Sequence, residues 1–126
     1  MRFGNYFGGY SNSKTAEFVQ NIFKTIRKYK GAAVAITQDV KDLFSLDDGK
    51  YGRGILTNSE IKIAFSLEKQ NIKLLKEYIE LSEKEEIEIS NLDKGIAWLI
   101  AKKDRVILKV EASKAEHTVI IGGDVK

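Results

Sequence analysis

The chain has 126 residues, enough for one domain and one core, with 43% apolar and 31% charged residues and a net charge of +3. That charge is too small to argue for nucleic acid by itself, because lysine and glutamate are interleaved along most of the chain. There is no cysteine and a single histidine, His117, so disulfides and thiolate metal sites are excluded and a histidine-based metal site or catalytic triad is not expected.

The first residues, MRFGNYFGGYSNS, are aromatic and glycine-rich, fit neither a helix nor a strand period, and read as a loop. They contain no apolar h-region of a signal peptide. Ser13 is placed to cap a helix running to about Lys30, with Phe18, Val19, Ile22, Phe23 and Ile26 as its apolar stripe and Gly31 as the residue that ends it. Ala32–Thr37 is small and β-branched without alternation. That pattern predicts a strand buried on both faces, as in a parallel sheet covered by helices. Ligands of such sheets sit at the carboxyl ends of the strands, where Gln38 stands. A polar residue ending a strand at the surface is the plainer reading of Gln38.

Asp39–Phe44 predicts a short helix or turn with Val40, Leu43 and Phe44 inward. SLDDGKYGRG reads as a turn-rich connector and ILTNS as one helical turn. The GKYGRG stretch is not a phosphate loop: Lys50 is followed by Tyr51, no strand precedes it, and glycine clusters usually mark surface turns. Ile61–Ser66 is a second strand, and Ser66 is placed to cap a helix to about Ile79 with Ile72, Leu75, Tyr78 and Ile79 inward. Ser82 and Glu85 have capping-box spacing for a shorter acidic helix, whose glutamates between Glu80 and Glu88 read as a solvated face. Leu92–Gly95 breaks it. GIAWLIAKKDRVILKVEA then reads as a hairpin turning at Lys102–Asp104, with Trp98 in the core. The tail SKAEHTVIIGGDVK is ambiguous, and His117 beside Glu116 reads as an incidental acid–base neighbour. No run approaches the roughly 18 apolar residues of a membrane helix. Together these elements predict one α/β domain over residues 1–126, with a mixed sheet, flanking helices and a C-terminal hairpin.

The order of these elements, KTAEFVQNIFKTIRKYKGAAVAITQDVKDL followed by GRGILTNSEIKIAFSLEKQ and the hairpin, resembles the carboxy-terminal part of the VirB-four-type conjugative-transfer ATPases of type IV secretion systems. Relatives occur on Gram-positive conjugative elements, including conjugative transposons. The resemblance covers residues 14–119 and rests on Arg27-Lys28 before the strand, Thr37-Gln38 at its end, ILTNS, Asp93–Gly95 and Glu116. It implies a partial RecA-like P-loop NTPase fold, the C-terminal half, from bacterial motors that form ring oligomers and power transfer of DNA or protein. ATP and Mg²⁺ are implied for the parent protein and no cofactor for the isolated chain. Gln38 would be a sensor near the γ-phosphate, and Arg27 an arginine finger or nucleotide contact with Lys28 beside it. Thr37 and Glu116 would lie near the nucleotide.

The sequence departs from the family in holding neither GxxxxGK[ST] nor an apolar run ending in Asp-Glu. The resemblance therefore implies that Met1 is an internal methionine, and that the chain is a fragment or a truncated reading frame, inactive alone. Implied partners are sister subunits and other secretion components. Implied location is the cytoplasm, at the inner face of the membrane through the secretion complex. A small non-enzymatic α/β interaction module is the competing reading. A nucleic-acid binder using Lys102, Lys103 and Arg105 ranks below it, since no aromatics share those strands in a stacking pattern. The RecA-like layout implied by the resemblance places the Thr-Gln strand between two strands this chain lacks. Ala32–Thr37 is then expected to pair with Ile61–Ser66 or with a second copy in a homodimer. Pairing with residues 1–12 would mean a sheet order of the chain's own, giving no support for Gln38 beside a nucleotide.

Overall fold

The structure, a computed structural model, describes residues 13–45 and 47–122 and the backbone of Arg2–Phe3. Its elements in chain order are β1 (Arg2–Phe3), α1 (Ser13–Thr25), β2 (Val34–Ala35), α2 (Val40–Leu43), α3 (Lys50–Asn58), β3 (Ile61–Ala64), α4 (Lys69–Lys76), α5 (Glu83–Ser90), β4 (Ile96–Ala101), β5 (Asp104–Lys109) and α6 (Lys114–Ile121). The predicted helix–strand alternation and the hairpin are present. The hairpin pairs Ala101 with Asp104 across Lys102-Lys103, and Lys102 takes the left-handed φ of 57° that the tight turn needs.

Strands lie in two ladders. β3, β4 and β5 form an antiparallel sheet with β4 central, and β1 pairs with β2 in parallel, Arg2 opposite Val34 and Phe3 opposite Ala35. Two expectations are thereby corrected. Arg2–Phe3 is strand rather than loop, while the rest of the aromatic N-terminal segment lies outside the described residues. Val34 pairs with Arg2, not with Ile61–Ser66 or a second copy. The expectation of a strand buried on both faces is also overturned: Val34 is 51% and Ile36 42% exposed. The physical reason is one-sided cover, since Ala33 and Ala35 pack inward on the Val19, Phe23, Leu43 and Ile55 cluster while the intervening residues point out.

A second cluster, larger than the first, is built where Trp98 and Ile100 of β4 meet Ile72 and Leu75 of α4, Val40 of α2 and Ile89 of α5. These side chains were expected inward from helix and strand periodicity. Tyr78 joins them through a stacked ring pair with Phe44, centroids 4.1 Å apart. The predicted Ser82 cap is present as a full capping box: the Ser82 amide donates to Glu85 and the Glu85 amide donates back to Ser82 Oγ. Ser66 does not cap α4; Glu68 holds that position without a side-chain bond.

The connector reading of GKYGRG is corrected. Residues 47–49 form a tight turn with left-handed φ at Asp47, Asp48 and Gly49, and Lys50–Asn58 is helical throughout. Gly52 and Gly54 lie inside that helix because other chain segments press against it. A Cβ on Gly52 would stand 2.1 Å from the Leu43 carbonyl oxygen, and one on Gly54 1.9 Å from Gln20 Nε2. α1 accordingly buries Ala16, Val19, Gln20 and Phe23, one step round from the predicted stripe, and leaves Phe18 exposed. α1 ends at Thr25 and continues as a 3₁₀ turn over Ile26–Tyr29. The left-handed cap is Lys30, not Gly31 (whose missing Cβ instead makes room for Ile26).

Candidate functional site

Thr37, Gln38 and Asp39 form the turn that joins β2 to α2. The Thr37 hydroxyl donates to the Asp39 carbonyl at 2.8 Å and accepts from the Asp39 amide at 3.3 Å. Asp39 Oδ1 in turn accepts the Lys41 amide at 2.9 Å and caps α2. Thr37 is thus occupied in fixing the turn, and Gln38 stands exposed at its apex between two locally bonded neighbours. Polarity at Gln38 is therefore compatible with a surface strand end. The strand pairing gives no support for a nucleotide beside it, because β2 pairs with residues 2–3.

Arg27 and Lys28 lie in the 3₁₀ turn that leads into β2, both exposed. Arg27 Nη1 donates to Glu60 Oε1 at 2.8 Å, tying the approach to β2 to the residue that precedes β3. With both side chains more than half exposed, such a pair contributes at most about 1 kcal/mol and is easily opened.

Glu116 lies apart in sequence and in role. It is the third residue of the α6 capping box, accepting the Ser113 amide at 2.8 Å while its own amide donates to Ser113 Oγ at 3.2 Å. The Ser113 amide holds its carboxyl below the ordinary carboxylate range. His117 is exposed one residue on, its amide bonded to the Ser113 carbonyl. Among the predicted site residues the structure joins Thr37 and Gln38 in one turn; it gives Glu116 a helix-capping task and Arg27 an ion-pair partner.

Three functional arrangements escaped the sequence reading. Gln20 is buried against Gly54, with Nε2 3.4 Å from the Lys50 carbonyl, a polar residue at the centre of the α1–α3 contact. Its spacing with Ala16, Val19 and Phe23 was the available signal. Second, the acidic helix is not simply solvated. Glu85 accepts from Arg105 Nη1 at 2.8 Å through both oxygens, locking α5 to β5, and Glu86 pairs with Lys76 of α4. Burial pushes the Glu85 carboxyl up, but the Ser82 amide, Arg105 and the Ser82 hydroxyl outweigh it and hold it below the ordinary range. Arg105 is thereby removed from the basic hairpin tip. Third, the ambiguous tail contains α6, whose Val119, Ile120 and Ile121 are exposed.

The residues present do not by themselves fit a nucleotide with Mg²⁺. Among the described residues no three acidic or histidine side chains gather to hold a metal, and the sequence carries no GxxxxGK[ST] cradle. No helix among the described residues is long and apolar enough to cross a membrane.

Comparison with known proteins gives the following. The model of the TraG P-loop domain matches residues 7–117. VirB4 of Thermoanaerobacter pseudethanolicus is similar in structure, with a TM-score of 0.76 and 27% sequence identity over 82% of this chain. The chain spans 28% of that VirB4 chain. No curated protein matches.

Proposed function

Because the chain belongs to the TraG P-loop domain family, we propose that it is the carboxy-terminal part of a type IV secretion or conjugation ATPase, the part that supports the motor without holding the phosphates. The observation that carries this reading is the match to a P-loop domain over residues 7–117 in a sequence with no phosphate loop. The fold likeness to VirB4 over most of the chain supports it and assigns the same order of elements. In the assembled motor, ATP and Mg²⁺ are held by the parts of the domain outside this chain, sister subunits surround it in a ring, and the complex works at the inner face of the membrane. Gln38, held out on its turn, and Arg27, on an ion pair that opens at low cost, contribute to turnover there. That whole-chain likeness is the support for their placement, since strand pairing supplies none.

Purified alone, the chain should turn over no ATP above a blank and retain no nucleotide through gel filtration. Mg²⁺-dependent hydrolysis by the pure chain overturns its assignment as a supporting part. In a bacterium that carries it, its deletion should lower conjugative transfer by orders of magnitude. Transfer at the undeleted frequency overturns the motor assignment.

A further inference from the structure

The two ladders rest on one layer of helices yet are not joined. Ala33 and Ala35 around β2, and Ala64 of β3, pack on clusters that share Leu56 of α3 and Phe44. Arg27 and Glu60, just ahead of the two strands, are ion-paired. β2 and β3 therefore set out from the same end of the same helical layer. Among the described residues β2 pairs only with β1 and β3 only with β4, so each keeps one edge without a ladder partner.

Alternation along both strands puts small or half-buried residues inward and large β-branched residues outward. Beyond Val34 and Ile36, Ile61 is 63% and Ile63 56% exposed. Register extends this outward face across the sheet, with Ile63 opposite Leu99 and Leu99 opposite Val106. Only Ala97, opposite Leu108, is buried on it. Large β-branched side chains on the face away from the helices are the pattern of a sheet that is covered on both sides. Nothing among the described residues covers this one.

We propose that this surface, the free edges of β2 and β3 together with Val34, Ile36, Ile61 and Ile63, docks a strand-and-helix segment of a P-loop domain that bears the GxxxxGK[ST] loop. The segment's strand adds to the free edges through main-chain hydrogen bonds, and its helix covers the isoleucines and valine. The occupant follows from three observations. The open element is a strand edge, which a strand satisfies. The chain is a P-loop-domain relative whose own sequence lacks the loop, and a phosphate loop is presented between a strand and a helix. The VirB4 chain it matches extends far beyond the 28% that this chain spans. The proposal rests on the motor reading above, and its test separates the two.

The probe is the Thermoanaerobacter pseudethanolicus VirB4 polypeptide with its matching segment deleted, produced separately. That matching segment, added back as its own chain, serves as the control. The full 126-residue chain should bind the probe saturably, and hydrogen exchange should slow by about tenfold or more at amides of Val34–Ile36 and Ile61–Ala64. The double variant Val34→Lys/Ile63→Lys should weaken binding by about 100-fold. It should leave the melting temperature of the free chain within about 2 °C, because the face is uncovered there. Binding that survives the double variant overturns the proposal, as does binding of the control segment but not of this chain. A large fall in the free chain's own melting temperature also overturns it, because the face would then already be covered. So does protection of the same amides by a second copy in the chain alone, which would make the face a homodimer contact. ATP turnover by the bound pair is read separately: docking without turnover sinks the motor reading and leaves this surface standing, and turnover untouched by the lysines does the reverse.

Discussion

Gly52 and Gly54 make opposite demands on the α1–α3 contact, and substituting each by alanine separates them. Replacing a helical glycine by alanine ordinarily stabilises by about 0.5–1 kcal/mol. At Gly52 the new Cβ would stand 2.1 Å from the Leu43 carbonyl oxygen and 2.8 Å from its carbon, backbone atoms that cannot turn aside. Overpacking of this kind costs about 1–3 kcal/mol or more, so Gly52→Ala should be destabilising by about 2 kcal/mol net. At Gly54 the obstruction is the Gln20 side chain, whose Nε2, Cδ and Cγ lie 1.9, 2.8 and 2.9 Å from the added Cβ. Gln20 can swing out only by losing its bond to the Lys50 carbonyl and its burial, so Gly54→Ala should cost about 1–2 kcal/mol. In a Gln20→Ala background the obstruction is gone and Gly54→Ala should stabilise by about 0.5–1 kcal/mol. The coupling between the two sites is therefore about 2 kcal/mol, and it is read by urea unfolding followed through Trp98 fluorescence. With a urea slope of about 1–3 kcal/mol per molar, the midpoints shift by roughly 1 M. Equal effects of Gly54→Ala with and without Gln20, or a stabilising Gly52→Ala, would refute the close-packing account and return both glycines to an ordinary exposed helix.

The Glu85–Arg105 lock should be visible in the pH dependence of unfolding. Since the folded-state carboxyl lies below its ordinary value of about 4.3, its contribution is complete above that value and is lost as pH falls through the folded-state pKa. Glu85→Gln should cost about 1 kcal/mol at pH 7 and flatten the acid limb of the stability curve; an unchanged limb would show that the pair is not coupled to folding. In an assembled motor containing this chain, Gln38→Ala and Arg27→Ala should lower ATP turnover more than ATP affinity, because groups that meet developing charge act on the transition state. Wild-type turnover in both variants would leave Gln38 a plain strand end and Arg27 only the partner of Glu60.

What was legible in the sequence was what is settled locally. Ser82 with Glu85, Asp39 ahead of Val40, and the hairpin around Lys102-Lys103 each need only residues a few positions apart, and each formed as read. Ser113 and Glu116 carry the same capping-box spacing as Ser82 and Glu85, so α6 was equally available; its apolar residues bunch at one end without a helical stripe and obscured it. Gly52 and Gly54 misled for a different reason. Glycine marks turns through backbone freedom, but these two serve by lacking a Cβ where Leu43 and Gln20 press in, and that pressure exists only once α1, α2 and α3 are assembled. Ala32–Thr37 is the most instructive departure. Its composition correctly announced a strand meant for cover on both faces, and the chain supplies cover on one. Composition records the surroundings in which a segment is stable, not the surroundings one chain provides. The exposed Val34 and Ile36 are thus less an error in reading the strand than a physical trace of a second layer, and the same trace recurs at Ile61 and Ile63. Gln38 sits at the end of the strand that carries that trace, so its role and the covering of β2 stand or fall on related evidence. A motor whose missing layer docks elsewhere would leave Gln38 on an uncovered strand, where the local bonds of Thr37 and Asp39 already account for its position.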